Sequence, residues 1–147
     1  MYKRGDEKTT IGYTSGVYDL FHIGHLKLLN NAKKMCDKLI VGVTTDELML
    51  DYKKKKSVIP YKERSEIVAN IKSVDVVVPQ DTMNKFEAWQ KLKFNIVFVG
   101  DDWHKTPKWE LIEKNLKQEN IRIVYFPYTK GTSSTIINNT LEEIRNN

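Results

Sequence analysis

Five short apolar runs, separated by longer amphipathic stretches, constrain the fold of this chain more than any other feature of its sequence. The runs span residues 10–15, 38–43, 74–78, 96–99 and 122–126. Most are rich in Val and Ile without strict polar alternation, which is typical of parallel strands covered on both faces. The sequence therefore predicts an α/β fold of three layers, a doubly wound, Rossmann-like sheet of five parallel strands.

The stretches between these runs place their apolar residues at helical spacing. A helix is predicted after the first strand from Leu28, Ala32 and Met35. Further helices are indicated by four sets of residues: Arg64, Ile67, Val68 and Ile71; Phe86, Trp89 and Gln90; Trp109, Ile112 and Leu116; and Ile137, Leu141 and Ile144. In such sheets ligands bind beyond the carboxyl ends of the strands, so we expect functional motifs just after the strands.

The length predicts a single domain that comprises residues 1–147, and the composition suits an anionic ligand. The formal net charge is +5, which fits either a nucleotide or a nucleic acid. The one cysteine, Cys36, fits a buried thiol in a cytoplasmic protein. No apolar run reaches the roughly 20 residues that cross a bilayer, and the polar N-terminus is unlike a secretory signal.

The first motif, His22-Ile23-Gly24-His25, follows a turn at Gly16 after the first predicted strand. Glycine lets the backbone turn sharply and approach a ligand. If a helix begins near Ile23, both imidazoles lie at its N-terminus, where free N–H groups and the helix dipole favour phosphate. Both rings can then donate hydrogen bonds to a triphosphate as it is attacked. A metal site or a structural role are alternatives, although no nearby cluster of Cys or carboxylates completes a zinc site.

This segment resembles the HxGH signature of the nucleotidyltransferase superfamily, which includes cytidylyltransferases, pantetheine-phosphate adenylyltransferase and class I aminoacyl-tRNA synthetases. The resemblance implies that His22 and His25 are catalytic and contact the nucleotide phosphates. It also implies that the surrounding residues bind the nucleotide, namely Ser15, Gly16, Val17, Tyr18, Asp19 and Gly24. The chain is too short for a synthetase.

A lysine-rich segment, Lys53 to Lys56, follows the second predicted strand. Such a run is usually a solvated loop, but at this edge of the sheet its cations would face the same crevice as the histidines. The order Thr-Asp-Glu, lysine loop, Tyr-x-x-Arg resembles glycerol-3-phosphate cytidylyltransferases. It implies that Lys55 is catalytic and that Lys53 and Arg64 bind the acceptor. Because the loop is one residue longer here, Lys54 or Lys56 remain alternatives for either lysine.

Two further motifs follow the fourth and fifth predicted strands. Gly100-Asp101-Asp102-Trp103 resembles the cytidylyltransferase branch, which implies that Gly100 and Asp101 bind the nucleotide and that Trp103 faces the acceptor. Glycine before hydroxyl residues at a helix start suits phosphate, although Thr132, Ser133 or Ser134 could simply cap the helix. Here the resemblance implies one catalytic residue, Ser133, and a set that binds the nucleotide: Thr129, Gly131, Ser134 and Thr135.

Three positions depart from the family pattern. Tyr128 stands where arginine is usual, Val17 where threonine is common, and Lys72 where close relatives have arginine. We still assign Tyr128 and Lys72 to acceptor binding. Loss of arginine at position 128 removes a bidentate phosphate donor, which Lys130 could replace in charge only. These changes leave the acceptor open.

The resemblance covers residues 9–145 and implies direct in-line transfer of CMP from CTP to a small alcohol phosphate. Glycerol 3-phosphate is the first candidate, in synthesis of teichoic acid or capsule precursors. Phosphocholine, phosphoethanolamine and other polyol phosphates remain open. The resemblance also implies a homodimer and Mg²⁺ bound through the triphosphate rather than by protein ligands.

Two other functions are weighed against this one. An adenylyltransferase is the alternative enzyme, and a basic nucleotide- or RNA-binding module is the alternative outside catalysis. The aromatic residues fall mainly in strand and helix patterns rather than among surface cations, which argues against nucleic acid. No long amphipathic helix extends the C-terminal region, which argues against a membrane-regulated enzyme.

Overall fold

The computed structural model describes residues 9–100, 106–127 and 134–146. Its strands are β1 (Ile11–Gly16), β2 (Lys38–Thr44), β3 (Val76–Gln80), β4 (Ile96–Gly100) and β5 (Arg122–Phe126). Its helices are α1 (Ile23–Lys33), α2 (Asp46–Lys53), α3 (Tyr61–Ala69), α4 (Lys85–Leu92), α5 (Pro107–Gln118) and α6 (Ser134–Asn146). The predicted α/β class is confirmed.

All five strands are parallel and lie in the order β3-β2-β1-β4-β5. Their carboxyl ends therefore meet at one edge of the sheet. The chain moves outward from β1 to β3 and then returns to β4 on the other side of β1. This reversal between β1 and β4 is the point at which doubly wound sheets open a ligand crevice.

Two apolar clusters cover the two faces of the sheet and make the fold three-layered. On one face, Ala88 of α4 and Ile112 of α5 pack with Val97 of β4. On the other face, Leu29 of α1 and Val68 of α3 pack with strand residues that include Val41. Because β2 is buried on both faces, its apolar run is almost continuous.

The structure differs most from the sequence-based prediction at α2 and β3. The lysine-rich segment was expected to form a loop, but its first residue, Lys53, ends the helix α2. This helix begins after Thr45, whose hydroxyl accepts a hydrogen bond from the Leu48 amide at 3.1 Å. β3 begins at Val76 rather than at residue 74, because the Val74 amide donates to the Ile71 carbonyl in a turn. In the described parts of the chain, no helix is both long and apolar enough to span a membrane.

Candidate active site

A cavity of about 540 Å³ lies along the carboxyl edge of the sheet. The end of β1 forms its centre, through Thr14, Ser15, Gly16 and Val17. The side beyond β2 and β3, which we call the polar half, includes Thr44, Met49, Tyr52, Lys53, Gln80, Met83 and Lys85. The side beyond β4 and β5, which we call the aromatic half, includes Phe98, Val99, Gly100, Thr106, Lys108, Trp109, Ile112 and Phe126.

The two motif histidines form the N-terminal cap of α1. The cavity is lined by the end of β1 before them and by Leu28 of α1 after them, but not by either histidine. His22 is the N-cap residue, and its Nδ1 accepts a hydrogen bond from the Gly24 amide at 3.0 Å. Nδ1 of His25 accepts from the His22 amide at 3.2 Å. The rings are stacked with centroids 3.9 Å apart. This reciprocal capping fixes both side chains without using their outer nitrogens.

The capping geometry also determines which ring nitrogen carries the proton. Because both Nδ1 atoms accept backbone hydrogen bonds, each neutral ring carries its hydrogen on Nε2. Burial, and then the neighbouring His22, lower the pKa of His25 to about 4. Burial also lowers the pKa of His22. The pair can therefore present two uncharged N–H donors near neutral pH.

The loop between β1 and α1 contains two residues in the left-handed backbone region. Tyr18 has φ 55° and Leu20 has φ 51°, values that side chains with a Cβ rarely adopt. A Cβ at Gly16 would lie 3.1 Å from the Tyr18 ring, so glycine permits the close approach of ring and backbone. Strain of this kind persists where the surroundings fix the loop, which is common at functional sites.

Arg64 is fully buried and ties this loop to the lysine loop. Its Nη1 donates to the carbonyls of Val17 at 2.6 Å and Thr44 at 2.8 Å. Its Nε donates to the carbonyl of Ile59 at 2.7 Å, and Nη2 donates to the Asp46 carboxylate at 2.7 Å. The structure therefore corrects the assignment of Arg64 to direct acceptor binding, because its donors are directed to the backbone and to Asp46.

Asp19 also joins the β1–α1 loop to the lysine loop. Its carboxylate accepts hydrogen bonds from the amides of Val58 at 2.8 Å and Ile59 at 2.9 Å, and the residue is 4% exposed. A loop rich in positive charge is thus fixed beside the HxGH segment. Direct contact between Asp19 and a nucleotide stays a prediction.

Residues 13–140 match the cytidylyltransferase-like family over most of the chain. The chain belongs to this family. Glycerol-3-phosphate cytidylyltransferase of Bacillus spizizenii is 39% identical over 125 residues, which cover 84% of this chain and 91% of the relative. FAD synthase of Thermococcus sibiricus is 34% identical over 116 residues, which cover 76% of this chain and 78% of that protein.

A solved structure is similar to this chain in fold. The lipopolysaccharide core biosynthesis protein of Thermoplasma volcanium superposes with a TM-score of 0.69 at 25% identity, covering 85% of this chain and all of that one. The cytidylyltransferase-like chain is therefore a nucleotidyltransferase. Its homodimeric state, its cytoplasmic location and its use of Mg²⁺ stay predictions.

The predicted lysines of this nucleotidyltransferase occupy different positions relative to the cavity. Lys53, at the end of α2, lines the polar half. Lys55 and Lys56 are exposed and do not line the cavity. Lys72 precedes β3 and therefore lies at the amino edge of the parallel sheet, opposite the cavity. The structure thus corrects the assignment of Lys72 to an acceptor site within the same chain.

Lys85 is a cavity-lining candidate that the sequence analysis missed. It is 4% exposed, lines the polar half of the cavity, and donates through Nζ to the Ser15 hydroxyl at 2.7 Å. Burial lowers its pKa to about 8. Its position in sequence held a signal. Asn84 caps α4 and places the lysine at the first helical position, where the helix dipole disfavours a cation.

Several predicted site residues lie outside the part of the chain that the structure describes: Asp101, Trp103, Tyr128, Thr129, Gly131 and Ser133. Gly100 ends β4 and lines the cavity, as the prediction requires. Ser134 and Thr135 lie in the first turn of α6, so a helix begins in the segment where one was predicted. Within the described ranges, no group of His, Cys, Asp or Glu is arranged to hold a metal ion.

Proposed function

We propose that this nucleotidyltransferase transfers CMP from CTP to a small alcohol phosphate, with glycerol 3-phosphate as the first candidate. The observation that carries the proposal is the division of the cavity. One half contains three aromatic side chains and suits a nucleoside, whereas the other contains a buried lysine and suits a phosphate. The end of β1, with the HxGH pair beside it, lies between the two.

The proposed reaction is a direct displacement. An oxygen of the alcohol phosphate attacks the α-phosphorus of CTP, the bond from that phosphorus to the bridging oxygen of the β-phosphate breaks, and pyrophosphate leaves with the electron pair. The attacking phosphate is a dianion near neutral pH, so the nucleophile needs no proton removed. Catalysis then consists of positioning and of stabilising charge on the phosphates.

Several of the described residues can stabilise charge on the phosphates. The Nε2–H groups of His22 and His25 can donate to the triphosphate and to the leaving pyrophosphate. Lys53 and Lys85 supply cations to the polar half, where the acceptor phosphate would lie. Mg²⁺ would neutralise charge on the triphosphate, whose oxygens are the hard ligands that this ion prefers.

An adenylyltransferase is the second candidate, since an FAD synthase is 34% identical to the chain. The test is pyrophosphate release with each of the four ribonucleoside triphosphates against glycerol 3-phosphate, phosphocholine, phosphoethanolamine and FMN. We expect turnover with CTP and an alcohol phosphate, with the CDP-alcohol identified by mass spectrometry. Turnover with ATP and FMN alone would establish the second candidate. No product from any pair would contradict both.

A further inference from the structure

Trp109 is one of three aromatic residues that line the aromatic half of the cavity, and it is held in a hydrogen-bond network. Trp109 is 1% exposed, and it lines the cavity together with Ile112 and Phe126. The indole Nε1–H donates to the hydroxyl of Tyr125 at 2.9 Å. That hydroxyl in turn donates to Oε2 of Glu113. The other carboxylate oxygen of Glu113 accepts from Lys117 Nζ at 2.9 Å.

The donors and acceptors of this network have a fixed direction. An indole N–H can only donate and an ionised carboxylate can only accept, so the Tyr125 hydroxyl must accept from Trp109 and donate to Glu113. Burial, and then the hydrogen bond to Glu113, raise the pKa of Tyr125 to about 12. The hydroxyl therefore keeps its proton throughout the neutral range.

The same network joins α5 to the edge strand. Trp109 and Glu113 are one turn apart on α5, and Tyr125 lies on β5. The rings of Trp109 and Tyr125 meet edge to face, with centroids 6.5 Å apart at 83°. Thr106 fixes the start of the helix, since its hydroxyl accepts from the Trp109 amide at 3.2 Å. The indole N–H is thus bonded across the gap between α5 and β5.

We infer that Tyr125 is a positioning residue that, together with Glu113, orients Trp109 as the wall against which the nucleoside of the triphosphate binds. This inference rests on the proposed function and assigns the aromatic half of the cavity to the nucleotide. Tyr125 acts through Trp109 and affects binding of the nucleotide rather than the displacement itself. Its effect therefore differs from that of a residue that contacts the phosphates.

The test removes the hydroxyl alone, in Tyr125→Phe. Loss of one buried hydrogen bond predicts that KM for CTP rises about three- to tenfold, while kcat and KM for the alcohol phosphate stay within about twofold. The Kd for CTP, measured by calorimetry without acceptor, should rise by the same factor. Glu113→Ala should reproduce this pattern, and Glu113→Gln, which keeps an acceptor for the hydroxyl, should stay near wild type.

Tyr61→Phe is the matched control, because Tyr61 belongs to the cluster on the opposite face of the sheet. An unchanged Kd and KM for CTP in Tyr125→Phe would overturn the inference. Equal changes in kcat and in both KM values would also overturn it, because they would indicate general loss of structure. If the wild type turned over no substrate pair, the proposed function would fail, but the calorimetric comparison would still decide the inference.

Discussion

Nη1 of Arg64 donates a hydrogen bond of 2.6 Å to the carbonyl of Val17, which lies 47 positions earlier in the chain. The same guanidinium also binds the carbonyl of Ile59, at the end of the lysine loop. The HxGH segment and the lysine loop are therefore held by one buried cation. Removing it should affect the fold before it affects the chemistry.

Arg64→Met tests this role. The variant leaves three backbone carbonyls and Asp46 without their donor, so we expect it to lower the free energy of unfolding by about 3–5 kcal/mol. Urea denaturation followed by circular dichroism measures the loss. Lys62→Met, at an exposed position of the same helix, should change stability by less than about 0.5 kcal/mol. Equal stability of the two variants would show that Arg64 is not a structural clamp.

The strands could be predicted because burial on both faces leaves a local signal, a short run of Val and Ile. The helix α2 was missed because polar residues and lysines dominate its end, although Thr45, Asp46 and Glu47 form a favourable helix start. Arg64 was singled out through the resemblance that its Tyr-x-x-Arg motif carries. Its role was not predicted, because its partners are distant in sequence and come together only in the folded sheet.

Gly42 and Tyr13 provide a test of the packing beneath the cavity. A Cβ at Gly42 would overlap the Tyr13 hydroxyl and approach its Cζ to 3.1 Å. We expect Gly42→Ala to lower the melting temperature, at a cost of about 1–3 kcal/mol. Adding Tyr13→Phe should recover part of this loss, because the overlapping oxygen is removed. If the double variant were as unstable as the sum of the single ones, the contact would not be the cause.

A pair of substitutions can separate the roles of the two ring nitrogens of His25. Asparagine places an acceptor near the Nδ1 position and can keep the hydrogen bond from the His22 amide, whereas glutamine places an N–H near Nε2. Because we assign catalysis to the Nε2–H, His25→Asn should lower kcat by roughly a hundredfold or more. His25→Gln should retain more activity than His25→Asn. The opposite order would mean that capping, rather than phosphate contact, is the main role of His25.

The protonation state of His25 can be followed directly by NMR. Its pKa is lowered to about 4, so its imidazole should be neutral at pH 6 in the free enzyme. Between pH 6.5 and about 4 the unfolded chain binds a proton that the folded chain does not, so His25 makes the fold less stable as the pH falls through this range. A midpoint near 6.5 in the folded protein would contradict the capping geometry, because protonated Nδ1 cannot accept from the His22 amide.

The lowered pKa of Lys85 predicts that acceptor binding weakens at alkaline pH. Its pKa is lowered to about 8, so the side chain is a cation below that pH and loses its charge above it. The acceptor phosphate, with a second pKa of about 6, remains a dianion through the same range. We therefore expect kcat/KM for the alcohol phosphate to be level near pH 7 and to fall by up to about tenfold per pH unit above 8.

Comparison of the pH profiles of kcat and kcat/KM makes this prediction specific to Lys85. A bound dianion stabilises the ammonium, so the fall in kcat should occur at higher pH than the fall in kcat/KM. Lys85→Met should raise KM for the acceptor and remove the alkaline fall, with little change in KM for CTP. If kcat/KM still fell at alkaline pH in Lys85→Met, another group would be responsible for the titration. Lys85 would then be only a structural partner of Ser15.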